Sequence, residues 1–179
     1  MNEHKTDTFA YQVLHLEHQL KGEARRQKGR LAMAQLLNDW QGENFSYQQV
    51  IRLSNGRPYI NPNYSLSISH SGEWLVVMAS FQACGVDIER VNAKRNIQSI
   101  WSHIRHPDEP ISPPDVASFY QWWTRKEALW KSFDCTWPAR MSQLQVVGEN
   151  GSISGVSMED VVAPKAYKMS ICNRLKSCP

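Results

Sequence analysis

The sequence has no long apolar run. Its longest, Trp74 to Ala79, falls far short of the roughly 20 residues that span a bilayer. Nor does Met1-Asn2-Glu3-His4-Lys5 lead into the apolar core of a signal peptide, so a soluble, cytoplasmic protein with no membrane partner is expected. Cysteine is sparse. Cys84, Cys135, Cys172 and Cys178 form no C-x-x-C pair and have no histidine at zinc-finger spacing, which argues against a disulfide scaffold or a structural zinc and leaves reduced thiols. Excess charge is slight. A net +3 over 179 residues gives no case for nucleic acid as a partner. There is no Gly-Lys-Ser/Thr loop for a nucleoside triphosphate, no G-x-S-x-G nucleophile turn and no repeat of fixed period.

What is present is aromatic. Seven Trp allow a real core despite a mean hydropathy of -0.51. Charge is uneven as well: Lys21, Arg25, Arg26, Lys28 and Arg30 are opposed only by Glu23, a local patch that attracts anions or else a solvated helix face. Apolar spacing predicts a strand over Ala10 to Leu16 and a helix from Gly22 to Trp40 on Leu31, Ala34, Leu37 and Trp40, with Gly42 as its stop. Asn55-Gly56 predicts a turn between Val50 to Leu53 and Pro58 to Ile60. Strands are expected over Tyr64 to Ser69, Trp74 to Ser80 and Gly85 to Glu89, and helices over Ile97 to Ile104 and Asp115 to Phe133. Four prolines make Pro107 to Pro114 a loop. Leu144 to Val147 and Ser152 to Val156 read as a hairpin about Asn150-Gly151, and Lys168 to Cys172 as a last strand.

Two of these elements carry chemistry. The period of two in Gly85-Val86-Asp87-Ile88-Glu89 puts Asp87 and Glu89 on one face, with Val86 and Ile88 on the other. On the long helix, at about 100° per residue, Phe119, Trp122, Trp130 and Phe133 share one side. Glu127 and Lys131 lie one turn apart beside that stripe. Lys126 falls inside it and must snorkel or meet an anion. Asp87, Glu89 and Glu127 form a set of three carboxylates that suits a hard cation such as Mg²⁺, which commonly also takes phosphate oxygens; the alternative is ordinary ion pairing with Arg90, Lys126 or Lys131. Ser69-His70-Ser71-Gly72 closes its strand with small hydrogen-bonding groups, fit for an anion nest or for a histidine satisfied by backbone.

Taken together, Gly56-Arg57-Pro58, Leu66 to Gly72, Gly85-Val86-Asp87-Ile88-Glu89 and Trp123-Thr124-Arg125-Lys126-Glu127-Ala128-Leu129-Trp130-Lys131 resemble the motif series of the 4′-phosphopantetheinyl transferases, in particular the Sfp-like group. The last two blocks match G-[IV]-D-x-E and W-[ST]-x-K-E-[AS]-x-x-K in residue type, order and separation. The resemblance implies holo-acyl-carrier-protein synthase activity: transfer of the phosphopantetheine arm of coenzyme A to a serine of an apo acyl or peptidyl carrier protein, with release of adenosine 3′,5′-bisphosphate. It implies Mg²⁺, or Mn²⁺, on Asp87, Glu89 and Glu127, and coenzyme A phosphates on Lys131. Ser69 and His70 match the 3′-phosphate site, Arg57 lies near adenine and that phosphate, and Lys28 and Arg30 are candidates for further phosphate contacts. Glu127 and Glu109 are the candidate bases, beside a metal-held water. The carrier is expected at Trp101, His103, Arg105 and His106.

The fold implied is α+β, with two similar small modules related by a pseudo-twofold axis, each an antiparallel sheet with a packed long helix. The expected division is 1–83, on the adenine and 3′-phosphate side, and 84–179, on the metal and pyrophosphate side, in a monomer. Rival readings are a Mg²⁺-dependent phosphohydrolase using the same acids, and a non-catalytic module that binds coenzyme A or nucleic acid.

Overall fold

The computed structural model describes residues 2–16, 20–133, 140–147 and 155–174. In chain order the elements are β1 (Asn2–Lys5), β2 (Phe9–His15), α1 (Gly22–Gln41), β3 (Ile51–Arg52), β4 (Pro58–Tyr59), β5 (Ser65–Ser71), β6 (Trp74–Ser80), β7 (Cys84–Arg90), α2 (Ile97–Ile104), α3 (Val116–Ser132), β8 (Val156–Asp160) and β9 (Tyr167–Arg174). They form three antiparallel sheets, ordered β1-β2-β6-β5, β3-β4 and β7-β9-β8. This is the α+β architecture of small antiparallel sheets that the sequence implied.

The layers follow from which side chains each strand buries. Leu75, Val77 and Ala79 of β6 pack with Leu66 and with Met33, Leu36 and Leu37 of α1. Val76 and Met78, on the opposite face of the same strand, pack with Val86 and Ile88 of β7 and Met169 and Ile171 of β9. With protein on both faces, β6 reads as a continuous apolar run and not as an alternating one. On the far side of the β7-β9-β8 sheet, Ala128 and Leu129 of α3 cover Cys172.

α1 ends where Gly42 turns left-handed at φ 68 and returns its N–H to Asn38 O. Its buried stripe is Gly29, Ala32, Met33, Leu36 and Leu37 with Ala34, while Leu31 is 37% exposed, so the apolar face is rotated from the one expected. α3 starts at Asp115, whose Oδ1 accepts the Ser118 N–H at 2.7 Å. β7 lies so close under α3 that a Cβ on Gly85 would overlap the carbonyl oxygen of Ala128. Glycine at the head of the Asp-x-Glu strand is thus required by the packing of helix on sheet.

Two findings differ from the sequence reading. β1 forms, pairing with β2 from Asn2 opposite Val13 to Lys5 opposite Ala10, although its polar sequence announces no strand. Residues 144–147 are not a strand, and the expected turn about Asn150-Gly151, with most of the strand expected over Ser152 to Val156, lies outside the described residues; β8 spans Val156–Asp160. The proline-rich segment from Pro107 to Pro114 stays irregular between α2 and α3, as its four prolines imply.

Candidate active site

β5 and β7 are neighbours from different sheets with no backbone ladder between them. Serine hydroxyls on β5 take its place: Ser65, Ser67 and Ser71 Oγ accept the N–H groups of Cys84, Val86 and Arg90 at 3.0, 3.1 and 3.0 Å. This seam sets the polar edge of β7 against one wall of a cleft of about 460 Å³. Asp87 and Glu89 of β7, Glu127 and Lys131 of α3 and Ser69 and His70 of β5 line it, facing Arg25, Arg26 and Arg30 of α1 and Arg52 of β3.

Asp87 is 3% exposed. Its Oδ1 accepts from Ser69 Oγ at 2.6 Å and from Lys131 Nζ at 2.7 Å, while Oδ2 is buried with no hydrogen-bond partner. Lys131 also donates to Val86 O at 3.1 Å. Glu89 Oε2 accepts from Ser71 Oγ at 3.0 Å. Loss of water, and behind it the charge of Asp87, push the Glu127 carboxyl up to about 7, with Lys131 opposing. Glu89 is raised by the same two causes in the same order. On the cleft rim His70 is held below the usual imidazole range, first by partial loss of water and then by Arg25 and Lys131.

Three acids therefore share one cleft with too little positive charge between them. Among the described residues no three His, Cys, Asp or Glu side chains are gathered at metal-binding geometry, so the acids line the space without closing a coordination shell. The donor set nevertheless fits a hard cation. It is all oxygen, it holds an orphaned buried carboxylate oxygen, and Mg²⁺ completes its octahedron with water and phosphate rather than with a full protein cage.

Several assigned residues sit elsewhere. Glu109 is 3% exposed and away from the cleft: its Oε2 pairs with Lys126 Nζ at 2.8 Å and accepts His106 N–H at 2.8 Å, and its Oε1 accepts Val146 N–H at 2.7 Å. Lys126 also donates to Leu144 O. Glu109 is thus the anion that the lysine in the apolar stripe required, and it does not line the cleft. Arg57 reaches Lys131 O at 3.0 Å and Cys84 O at 3.2 Å and bonds Ser65 Oγ, stapling the end of α3 to β5 and β7 instead of lining the cleft. Lys28, half-buried on α1, is not among the lining residues. Ser69 lines the wall as expected, but its single proton goes to Asp87, which leaves it no donor for a phosphate. Trp101 is fully buried, its Nε1 on Pro110 O, which removes it from the expected carrier surface, and the half-buried Arg105 is turned onto the carbonyls of His106, Pro107 and Glu109.

The cations that do face the acids are Arg25, Arg26, Arg30 and Arg52. Arg26 and Arg30 share Glu23, at 2.9 and 2.6 Å. The basic run in the sequence announced the first three. Arg52 had no signal beyond its place before the Asn-Gly turn.

Residues 83–170 match the family model of the 4′-phosphopantetheinyl transferase superfamily. The chain is 31% identical over 118 residues to a Haemophilus influenzae protein provisionally named 4′-phosphopantetheinyl transferase, covering 60% of this chain and 49% of that one. It is 26% identical over 136 residues to the 4′-phosphopantetheinyl transferase gsp of Aneurinibacillus migulanus, covering 68% and 56%. It is 34% identical over 86 residues to a 4′-phosphopantetheinyl transferase of Bacillus subtilis, covering 42% and 37%. The chain thus spans about half the length, or less, of these relatives. The matched segment holds Asp87, Glu89, Glu127 and Lys131, the acid and lysine wall of the cleft, and it is through this segment that the chain is similar to the 4′-phosphopantetheinyl transferase superfamily.

Proposed function

We propose that the chain transfers the 4′-phosphopantetheine moiety of coenzyme A to a serine of an acyl or peptidyl carrier protein, converting apo to holo form and releasing adenosine 3′,5′-bisphosphate. One observation carries the reading: a carboxylate set suited to Mg²⁺ faces Lys131 and an arginine wall across a single cleft, as transfer from a pyrophosphate requires. Asp87, Glu89 and Glu127 would hold Mg²⁺, or Mn²⁺ in its place. Once bound, that ion neutralises charge on the pyrophosphate.

The remaining roles belong to the chain's own side chains. Lys131 donates to a phosphate oxygen, and Arg25, Arg30 and Arg52 with His70 bind the 3′-phosphate end. The carrier serine oxygen attacks the β-phosphorus in line, the bond to the bridging oxygen breaks with its electron pair leaving on adenosine 3′,5′-bisphosphate, and the serine proton passes to Glu127. Glu127 suits that part because it lines the cleft, whereas Glu109 is locked elsewhere. Next to Glu89, a hollow lined by Arg90, Lys94 and Arg95 offers basic surface to an acidic carrier.

The reading includes two modules, 1–83 supplying the arginine wall and 84–179 the acids, in a cytoplasmic monomer. No helix among the described residues is long and apolar enough to cross a membrane. The test is mass spectrometry of several apo carrier proteins incubated with the protein, coenzyme A and Mg²⁺. One added phosphopantetheine is expected on at least one carrier. Phosphate release without carrier modification overturns the reading in favour of a phosphohydrolase.

A further inference from the structure

The serines of β5 do more than close the seam. A hydroxyl that accepts a backbone N–H keeps its own proton for a second partner. Ser71 accepts from Arg90 N at 3.0 Å and gives its proton to Glu89 Oε2 at 3.0 Å. Ser69 gives its proton to Asp87 Oδ1 at 2.6 Å, the same oxygen that receives Lys131. Asp87 Oδ2 stays buried and unpartnered. Ser67 accepts Val86 N–H at 3.1 Å in the same seam.

We propose that Ser69 and Ser71 are positioning residues. Each engages one oxygen of a β7 carboxylate, fixes its rotamer and leaves the second oxygen, Oδ2 of Asp87 and Oε1 of Glu89, as the ligand atom for a divalent cation. A carboxylate free to rotate offers either oxygen in many orientations and binds a hard cation less well, so hydrogen bonds behind the ligands raise affinity by organising them. The donors come from the first sheet and the acids from the second, so the metal site is built across the seam. This inference rests on reading the acids as a metal site.

The experiment is Mn²⁺ binding to the full chain without coenzyme A, followed by the electron paramagnetic resonance of the free ion, together with steady-state transfer. Ser69→Ala and Ser71→Ala are each expected to weaken Mn²⁺ binding roughly 10- to 100-fold. Ser71→Thr, which keeps a hydroxyl, restores it. Ser67→Ala loses a seam bond without touching an acid and is expected to lower the melting temperature while leaving Mn²⁺ affinity intact. In transfer, kcat at limiting metal falls in Ser71→Ala with the KM for coenzyme A little changed. Wild-type Mn²⁺ affinity in both alanine variants, or equal weakening in Ser67→Ala, overturns the positioning role alone. A wild-type protein that binds no Mn²⁺, or an Asp87→Ala variant that binds it as well as wild type, overturns the metal-site reading and the positioning role with it.

Discussion

Lys126 Nζ lies 2.8 Å from Glu109 Oε2, and neither side chain has any solvent exposure. The pair ties α3 to the loop after α2 and, through Val146 N–H and Leu144 O, to residues 144–146. Loss of water pulls the Lys126 ammonium below its usual range, and Glu109 holds it up. Removing one partner leaves an uncompensated buried charge. Glu109→Ala or Lys126→Ala is expected to lower the urea unfolding free energy by about 3–5 kcal/mol. Lys126→Met with Glu109→Leu, which removes both charges, is expected to cost less than the sum of the two.

Gly85→Ala places a methyl where the Ala128 carbonyl already stands. The strand and helix must separate, at a cost of roughly 1–3 kcal/mol or more. Separation also carries Glu127 away from Asp87, so transfer is expected to fall further than the melting temperature alone accounts for. Activity measured well below the melting temperature checks this.

Glu127 makes stability depend on pH in a stated direction. Its carboxyl titrates at about 7 in the fold against an ordinary 4.5, so the folded state binds the proton more tightly than the unfolded one. In chelator, its contribution is destabilising above about pH 7 and is relieved as pH falls from there toward 4.5. Glu89 acts with the same sign. The melting temperature of Glu127→Gln minus that of wild type is expected to be positive at pH 8 and to shrink by pH 5.5. Mn²⁺ added at pH 8 is expected to narrow the same gap.

Lys131→Ala removes the cation on Asp87 together with the proposed phosphate donor. A loss of about 10²- to 10³-fold in transfer is expected, the size seen when one preorganised donor is deleted. Arg52→Ala, on the opposite wall, is expected to raise the KM for coenzyme A about tenfold and leave kcat nearly unchanged.

Alternation along β7 sufficed to place Asp87 and Glu89 on one edge, and helical spacing to place Glu127 and Lys131 beside them, because both sets lie on single elements whose period is known. Lys126 was recognisable as a misplaced charge. Its partner was not, since Glu109 sits in a proline-rich loop and is held by residues 106, 126 and 146, contacts that no local pattern encodes. Arg57 shows the same limit: the family resemblance puts the basic residue before Pro58 near a phosphate, yet its fork matches the carbonyls of Lys131 and Cys84. The serines at alternate positions of β5 were legible as a polar face. That this face bonds a strand of another sheet could be known only from the topology.

β6 has a further consequence. Leu75 and Val77 belong to one apolar cluster and Val76 and Met78 to the other, so the two cores share a wall one strand thick. Neither can be hydrated without stripping the strand that supports its neighbour. Two sheets joined in this way melt together, and calorimetry should register a single transition with matching calorimetric and van't Hoff enthalpies.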